Sequence, residues 1–301
     1  MFEKILVPLD GSELSESALP YAEELAAAFG SELELANVCE LPESISPRHQ
    51  HQAYIDGVAE GTRKNLLDYR GLGNRSAVSI KTVILHGEPA AEIIKYAEQH
   101  NINLIVMASH GRSGIMPWAM GTTAMRVAQG ATKPVLFVKA STAGAQKKRG
   151  EIFSKILVPL DGSKTSETSL PYVTEIAQKL TTKITLLQVV EPGQWVHSIG
   201  GLTYVPFPER QMDIFESEAK QYLEETGKKF AGTKAGVAYE VRIGQAADTI
   251  IRLADETATG LVAMSTHGRS GISRWFFGSV ANKVMQAGHT PLLLIRAREG
   301  K

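Results

Sequence analysis

The sequence is short of the features that most directly announce a class of function. It holds a single cysteine, Cys39, so no disulfide can form within the chain, and the lone thiol fits a reducing compartment. It has no excess of either charge, since Lys+Arg and Asp+Glu each total 32 in 301 residues. A nucleic-acid partner requires a basic face or stripe, and the basic cluster Lys147-Lys148-Arg149 reads instead as part of a solvated linker. No apolar run approaches the ~18–20 residues that span a bilayer. Met1-Phe2-Glu3-Lys4 leads straight into a strand, without a signal-peptide pattern. The phosphate loops G-x-x-x-x-G-K-[ST] and G-x-G-x-x-G are both missing. These absences predict a soluble, cytoplasmic chain with neither a nucleic-acid nor a membrane partner.

What is present is a duplication. The nine residues Lys4–Ser12, KILVPLDGS, recur without change at Lys155–Ser163, and Leu19-Pro20-Tyr21 recurs as Leu170-Pro171-Tyr172. Further on, His110-Gly111-Arg112-Ser113-Gly114-Ile115 recurs as His267-Gly268-Arg269-Ser270-Gly271-Ile272, with Trp118, Gly121 and Pro134 falling on Trp275, Gly278 and Pro291. The offset grows from 151 to 157, so the second copy carries six extra residues between its first helix and third strand. A repeat this long is a domain rather than a solenoid unit. The expected division is residues 1–140, a linker at 141–151 of small, polar and basic residues, and residues 152–301.

Each copy alternates strands and helices. In the first, Phe2–Leu9 is a continuous apolar run, as in a strand buried on both faces. Ser12–Phe29 has helical spacing, with Ser12 or a neighbour to cap it and Gly30 to stop it. Strands follow at Leu33–Val38, Val78–Leu85, Asn103–Ala108 and Val135–Val138, with helices within His51–Tyr69 and at Glu88–Gln99 and Ala119–Gln129. The second copy repeats the order: strands at Ile156–Leu160, Ile184–Val190, Tyr239–Ile243, Leu261–Ser265 and Leu292–Ile295, and helices at Ser166–Leu180, Gln211–Phe230, Ala247–Glu256 and Trp275–Gln286. Five strands alternating with helices predict an α/β fold with a parallel sheet, whose ligands bind beyond the carboxyl ends of the strands.

The polar, glycine-rich segments fall at those ends. Strand one finishes in Leu9-Asp10-Gly11-Ser12, strand four in Ala108-Ser109-His110-Gly111, and the next helix begins near Gly121-Thr122-Thr123. The second copy has Asp161-Gly162-Ser163, Ser265-Thr266-His267-Gly268 and Gly278-Ser279-Val280. A glycine before a helix start, followed by hydroxyls and free N–H groups, suits an anion. An acid after strand one suits ribose hydroxyls or a metal on phosphates. Set against this, strand–glycine–helix turns occur in every open α/β fold, and Asp10 serves equally well as a cap. A phosphate-receiver domain is excluded, because strand three ends in His86-Gly87 and Asp10 has no second acid beside it.

The strings Ser109-His110-Gly111, nine residues, Gly121-Thr122 and Thr266-His267-Gly268, nine residues, Gly278-Ser279 resemble the signature of the universal stress protein family. So do Val7–Ser12 at the head of the chain, its repeat, and Lys133-Pro134-Val135 before the last strand. The resemblance covers essentially the whole chain. It implies two tandem Rossmann-like domains of the adenine nucleotide alpha hydrolase-like kind, each with a five-stranded parallel sheet of order 3-2-1-4-5. It also implies that the domains pair through their last strands as a built-in dimer, with a further homodimer possible. Carried over by position, the ATP contacts of the first copy are Pro8, Leu9, Asp10, Val38, Met107, Ala108, His110, Gly111, Gly121, Thr122 and Thr123. Those of the second are Pro159, Leu160, Asp161, Val189, Met264, Ser265, His267, Gly268, Gly278, Ser279 and Val280. Asp10 and Asp161 would meet magnesium through the phosphates.

One departure from the family pattern is Ala108 and Ser265, which replace the first glycine of G-x-x-G. A side chain there is costly only if φ is positive, and the position directly ends a strand. His110 and His267 read as loop residues held by their backbone rather than as catalysts. Trp118 and Trp275 read as packing. The aromatic stretch from Trp195 through Tyr204 to Phe207 reads equally as a lid over the second site or as an interface. The function implied is ATP binding by a stress sensor or regulator. The alternatives are an interaction protein of the same fold without nucleotide, or a slow ATPase relying on Asp10 and His110.

Overall fold

The computed structural model describes residues 1–40, 48–69, 78–111, 120–139, 150–198, 201–268 and 278–297. The linker at 141–151 therefore falls almost wholly outside the described residues, as do Trp118 and Trp275, and the side chain of Trp195.

The first copy runs β1 (Lys4–Leu9), α1 (Glu13–Glu16), α2 (Leu19–Phe29), β2 (Glu32–Cys39), α3 (Arg48–Asp68), β3 (Ile80–His86), α4 (Pro89–Gln99), β4 (Leu104–Ala108), α5 (Thr122–Gly130) and β5 (Val135–Val138). The second runs β6 (Lys155–Leu160), a 3₁₀ turn (Ser166–Ser169), α6 (Leu170–Lys179), β7 (Lys183–Val190), β8 (Gly193–Ser198), β9 (Gly201–Pro206), α7 (Glu209–Gly227), a second 3₁₀ turn (Lys228–Phe230), β10 (Gly236–Ile243), α8 (Ala246–Glu256), β11 (Leu261–Ser265), α9 (Ser279–Ala287) and β12 (Leu292–Ile295).

Two differences from the sequence reading have local causes. The single helix expected over Ser12–Phe29 is divided between α1 and α2. Pro20 lacks the N–H that would bond back into the first turn, so the chain restarts there, with Pro20 in the first turn of α2. Pro171 acts in the same way after the 3₁₀ turn of the second copy. Gly30 ends α2 as expected, left-handed at φ 70° with its N–H on the Ala26 carbonyl. The second difference is that the aromatic stretch of the second copy is an antiparallel hairpin, β8 against β9, pairing Trp195 with Tyr204.

The large sheet has ten strands in the order β10-β7-β6-β11-β12-β5-β4-β1-β2-β3. Each copy thus contributes five parallel strands in the order 3-2-1-4-5. The two halves join where β12 runs antiparallel to β5, with Leu292 opposite Phe137, Leu293 opposite Leu136 and Leu294 opposite Val135. Both seam strands are buried along their whole length, so this junction is core, not surface. Apolar side chains cover both faces of the sheet continuously through the two copies.

The copies grip each other reciprocally. Phe2 lies edge-on to Tyr172 with ring centres 6.1 Å apart, and its counterpart Phe153 lies edge-on to Tyr21 at 6.1 Å. Glu24, almost fully buried, accepts the backbone N–H groups of Gly150 (2.7 Å), Ile152 and Phe153 (3.4 Å each), where the chain enters the second copy. Its counterpart Glu175 accepts the Met1 amino group at 2.7 Å. Burial pushes the Glu24 carboxyl above the usual range, against the downward pull of the three N–H groups. At the other end of the seam, Lys139 donates to the Met285 carbonyl at the end of α9. Arg296 donates to Gln129 (3.1 Å) and Ala131 (3.2 Å) at the end of α5. Each copy therefore supplies a cation to the electronegative end of the other's last helix.

Candidate functional site

The duplicated Asp-Gly-Ser is a self-closing turn at the end of the first strand. Gly11 and Gly162 each take φ 84°, a left-handed conformation that costs other residues ~1–2 kcal/mol. That turn brings the following serine back onto the acid. In the first copy, Asp10 Oδ1 accepts from the Ser12 N–H at 3.0 Å and from Ser12 Oγ at 2.6 Å. In the second, Asp161 Oδ1 accepts from Ser163 at the same distances. The serine hydroxyl also accepts the N–H of the residue three positions on, Ser15 or Ser166, at 3.1 Å. The carboxylate is thereby fixed in orientation before any ligand arrives.

The tip of the fourth strand meets this acid. A Cβ placed on Gly111 would overlap Asp10 Oδ2, and one on Gly268 would overlap Asp161 Oδ2. Glycine at these positions thus reflects the approach of the carboxylate. The tip is also tied to the next helix: Gly121 N–H bonds the Ser109 carbonyl at 2.8 Å, and Gly278 N–H bonds Thr266 at 2.9 Å. Neither Gly121 nor Gly278 has positive φ. A Cβ on either would instead press the carbonyl of Ser109 or Thr266 at 3.2 Å. These two glycines cap α5 and α9 with no side-chain hydrogen bond, so among the described residues no side chain caps the helix-start N–H groups.

Ala108 and Ser265 lie in β4 and β11, and neither is among the positive-φ residues, so the side chain at the departure from the family pattern is conformationally free of strain. His110 Nδ1 pairs with Ser109 Oγ at 3.0 Å and His267 Nδ1 with Thr266 Oγ1 at 2.9 Å. His110 Nε2 is buried without a hydrogen-bond partner among the described residues.

In the second copy these tips surround a cavity of about 780 Å³. It lies within the size range, ~300–1,000 Å³, of small-molecule sites. Every residue assigned to the second site from the sequence lines it: Pro159, Leu160, Asp161, Val189, Met264, Ser265, His267, Gly268, Gly278, Ser279 and Val280. In the first copy the corresponding residues occupy the equivalent ends: Pro8 and Leu9 in β1, Asp10 after it, Val38 in β2, Met107 and Ala108 in β4, His110 and Gly111 beyond, and Gly121, Thr122 and Thr123 at the start of α5.

Further residues line the second cavity that the motif reading missed. Gln188 comes from β7, Ala246 and Ile250 from α8, and Phe215, Glu218 and Tyr222 from α7. Gln188 was visible as a polar residue inside the apolar strand ITLLQVV. The α7 residues had no signal, since they belong to a helix whose packing only the fold decides. Tyr222 donates to Glu167 at 3.3 Å, and burial followed by that carboxylate pushes its hydroxyl up to about 12, so it stays protonated. Of the described residues at the hairpin, Gly193 lines the same cavity, and Phe207, just beyond it, also lines the wall and packs edge-on against Phe215 at 5.5 Å. Among the described residues no group of three or more His, Cys, Asp or Glu could hold a metal ion, and no helix is long and apolar enough to cross a membrane.

Comparison with known proteins agrees along the whole length. The model of the universal stress protein family matches residues 1–139 and again 153–296. The universal stress protein YxiE of Bacillus subtilis is 32% identical over 152 residues, 46% of this chain and 100% of that protein. A universal stress protein of Mycolicibacterium smegmatis is 22% identical over 302 residues, covering 98% of this chain and 97% of that one. The crystal structure of a universal stress protein from Archaeoglobus fulgidus superposes with a TM-score of 0.68 at 18% identity, covering 98% and 99% of the two chains, and so shares the fold. The chain belongs to the universal stress protein family, with two copies of the family's domain in tandem.

Proposed function

We propose that the chain binds an adenine nucleotide, ATP with magnesium, in the second-copy cavity and at the equivalent strand ends of the first, and acts as a sensor or regulator rather than as a catalyst. The observation that carries this reading is the conjunction, in one cavity of about 780 Å³, of the start of α9, whose N-cap is the side-chain-less Gly278, and the pre-oriented carboxylate of Asp161. The helix start would take phosphate oxygens through the N–H groups after Gly278 and the Ser279 hydroxyl. Asp161 would take ribose hydroxyls or phosphate-bound magnesium with the oxygen that Ser163 does not occupy. The apolar wall of Val189, Met264 and Val280 would receive the base. Domain boundaries near residues 140 and 152 go with this reading: each copy carries a complete set of strand ends.

The test is the nucleotide content of protein purified without added ligand, released with acid and separated by chromatography, followed by ATP titration with magnesium. About one nucleotide per chain is expected from the second cavity, and about two if the first copy also fills. None bound, and no heat or fluorescence change on titration, would overturn the reading and leave an interaction protein of the same fold.

A further inference from the structure

Among the described residues the ten-stranded sheet ends in two strands that are paired on one side only, β3 and β10. In a parallel pair the backbone groups of alternate residues turn to opposite neighbours, so half of those in an end strand face outward. Hydrogen bonds at the two ends of β10 fix which half. Gly236 N–H reaches the Thr182 carbonyl at 3.2 Å and Gly244 N–H the Val190 carbonyl at 3.0 Å, both toward β7. The even-numbered residues therefore bond β7, and the N–H and C=O groups of Val237, Tyr239, Val241 and Ile243 face the open edge.

The two edges are built differently. β3 carries an exposed lysine, Lys81, paired with Glu32, and a lysine blunts an edge against further pairing. Its remaining residues are half-buried. β10 has neither lysine nor proline in its eight residues, and Tyr239 and Ile243 are 40% and 47% exposed. Where β3 has Val83 and Leu85, β10 has Glu240 and Arg242, which pair with each other along the strand at 3.0 Å and keep much of their surface in water.

This pattern is its own complement. Two antiparallel β10 strands related by a two-fold axis at Val241 set Tyr239 of each opposite Ile243 of the other, and Glu240 of each opposite Arg242 of the other. The odd-numbered residues, with their outward backbone groups, then meet in the hydrogen-bonded positions. Glu240 and Arg242 meet in the positions between, where Cα atoms lie about 4.5 Å apart and side chains are closest. Four charges alternate in sign around the axis. An axis at Glu240 or Arg242 would set like charges opposite each other, and one at Tyr239 or Ile243 would set each charge opposite an uncharged residue.

We infer that the open edge of β10 is where two of these chains associate, antiparallel about a two-fold axis at Val241, with Glu240 of each against Arg242 of the other. One pair of strands buries less than a standard interface of ~1,600 Å², so the dimer should be weak, with a dissociation constant of about 10–100 µM.

The experiment is sedimentation equilibrium of the full chain over about 1–500 µM, a range that brackets this constant. It compares the wild type with Glu240→Arg, Arg242→Glu, the double exchange and Ile243→Pro, each checked for folding by circular dichroism and urea unfolding. Either single charge reversal sets like charges opposite at both pairs and should raise the dissociation constant about tenfold or more. The double exchange restores both pairs and should return it to within about threefold of the wild type. Ile243→Pro removes an outward N–H while sparing the bonds to β7, and should weaken the dimer as well. If that variant fails to fold, the charge exchanges decide alone. A wild type that stays monomeric throughout overturns the inference. So does a dimer that neither charge reversal weakens, or one that the double exchange does not restore.

Discussion

Replacing Gly268 with alanine should be costly for a reason that a second substitution can remove. The methyl group would fall on Asp161 Oδ2, so either the carboxylate or the strand tip must move. The carboxylate is short and its other oxygen is held by both the N–H (3.0 Å) and the hydroxyl (2.6 Å) of Ser163. A hydrogen bond to a charged group contributes about 1.5–3 kcal/mol. Because Asp161 is only half-buried, water recovers part of that, and Gly268→Ala is expected to cost about 2 kcal/mol in urea unfolding. In an Asp161→Ala background the atoms that the methyl overlaps are gone, and the same change should cost less than about 0.5 kcal/mol. The double-mutant cycle should thus show a coupling above about 1 kcal/mol, well outside the scatter of independent sites. Costs that simply add would refute the steric account, whatever happens to ligand binding.

Three further outcomes follow from the geometry. Glu24→Ala strands the buried N–H groups of Ile152 and Phe153 and should lower stability by about 2–4 kcal/mol, whereas Glu175→Ala, at a part-exposed ion pair, should cost under about 1 kcal/mol; equal shifts in the urea midpoint would contradict the burial argument. Burial holds the Lys139 ammonium down at about 8 against 10.5, so between those values the unfolded chain carries the extra proton. Stability should therefore rise as pH climbs from about 8 to about 10.5, and urea midpoints of Lys139→Met should lose that rise. Gly278→Val should weaken ATP binding at least tenfold by forcing the start of α9 off the Thr266 carbonyl, and an affinity unchanged by titration would remove the helix start from the phosphate site.

Most of the architecture was readable because its signals are local. The apolar runs of β1 and β6, the left-handed Gly30 and the repeated Asp-Gly-Ser each act through neighbours a few residues away. The pairing of β5 with β12 came from resemblance alone, since two four-residue apolar strands do not name each other. The split between α1 and α2 was legible in Pro20 but was overridden by helical spacing on both sides of it. The hairpin of β8 and β9 is not legible in the sequence, because Pro206 and Pro208 end its second strand in turn residues and no two-residue turn motif marks the pairing. At the site, the motif residues were found and their reasons were not. Gly111 and Gly268 looked like phosphate-loop glycines, but what excludes a side chain there is an aspartate about a hundred residues earlier in the chain.

The seam between β5 and β12 has a thermodynamic consequence. In a pair of separate chains the strands at such a junction find each other by mass action, and dilution pulls them apart. Here each finds its partner on its own backbone, at an effective concentration set by the tether and not by how much protein a cell makes. The melting temperature should accordingly be the same at nanomolar and micromolar protein. The arrangement also leaves the two copies free to diverge: the second carries six more residues between its first helix and third strand, and β5 still pairs with β12.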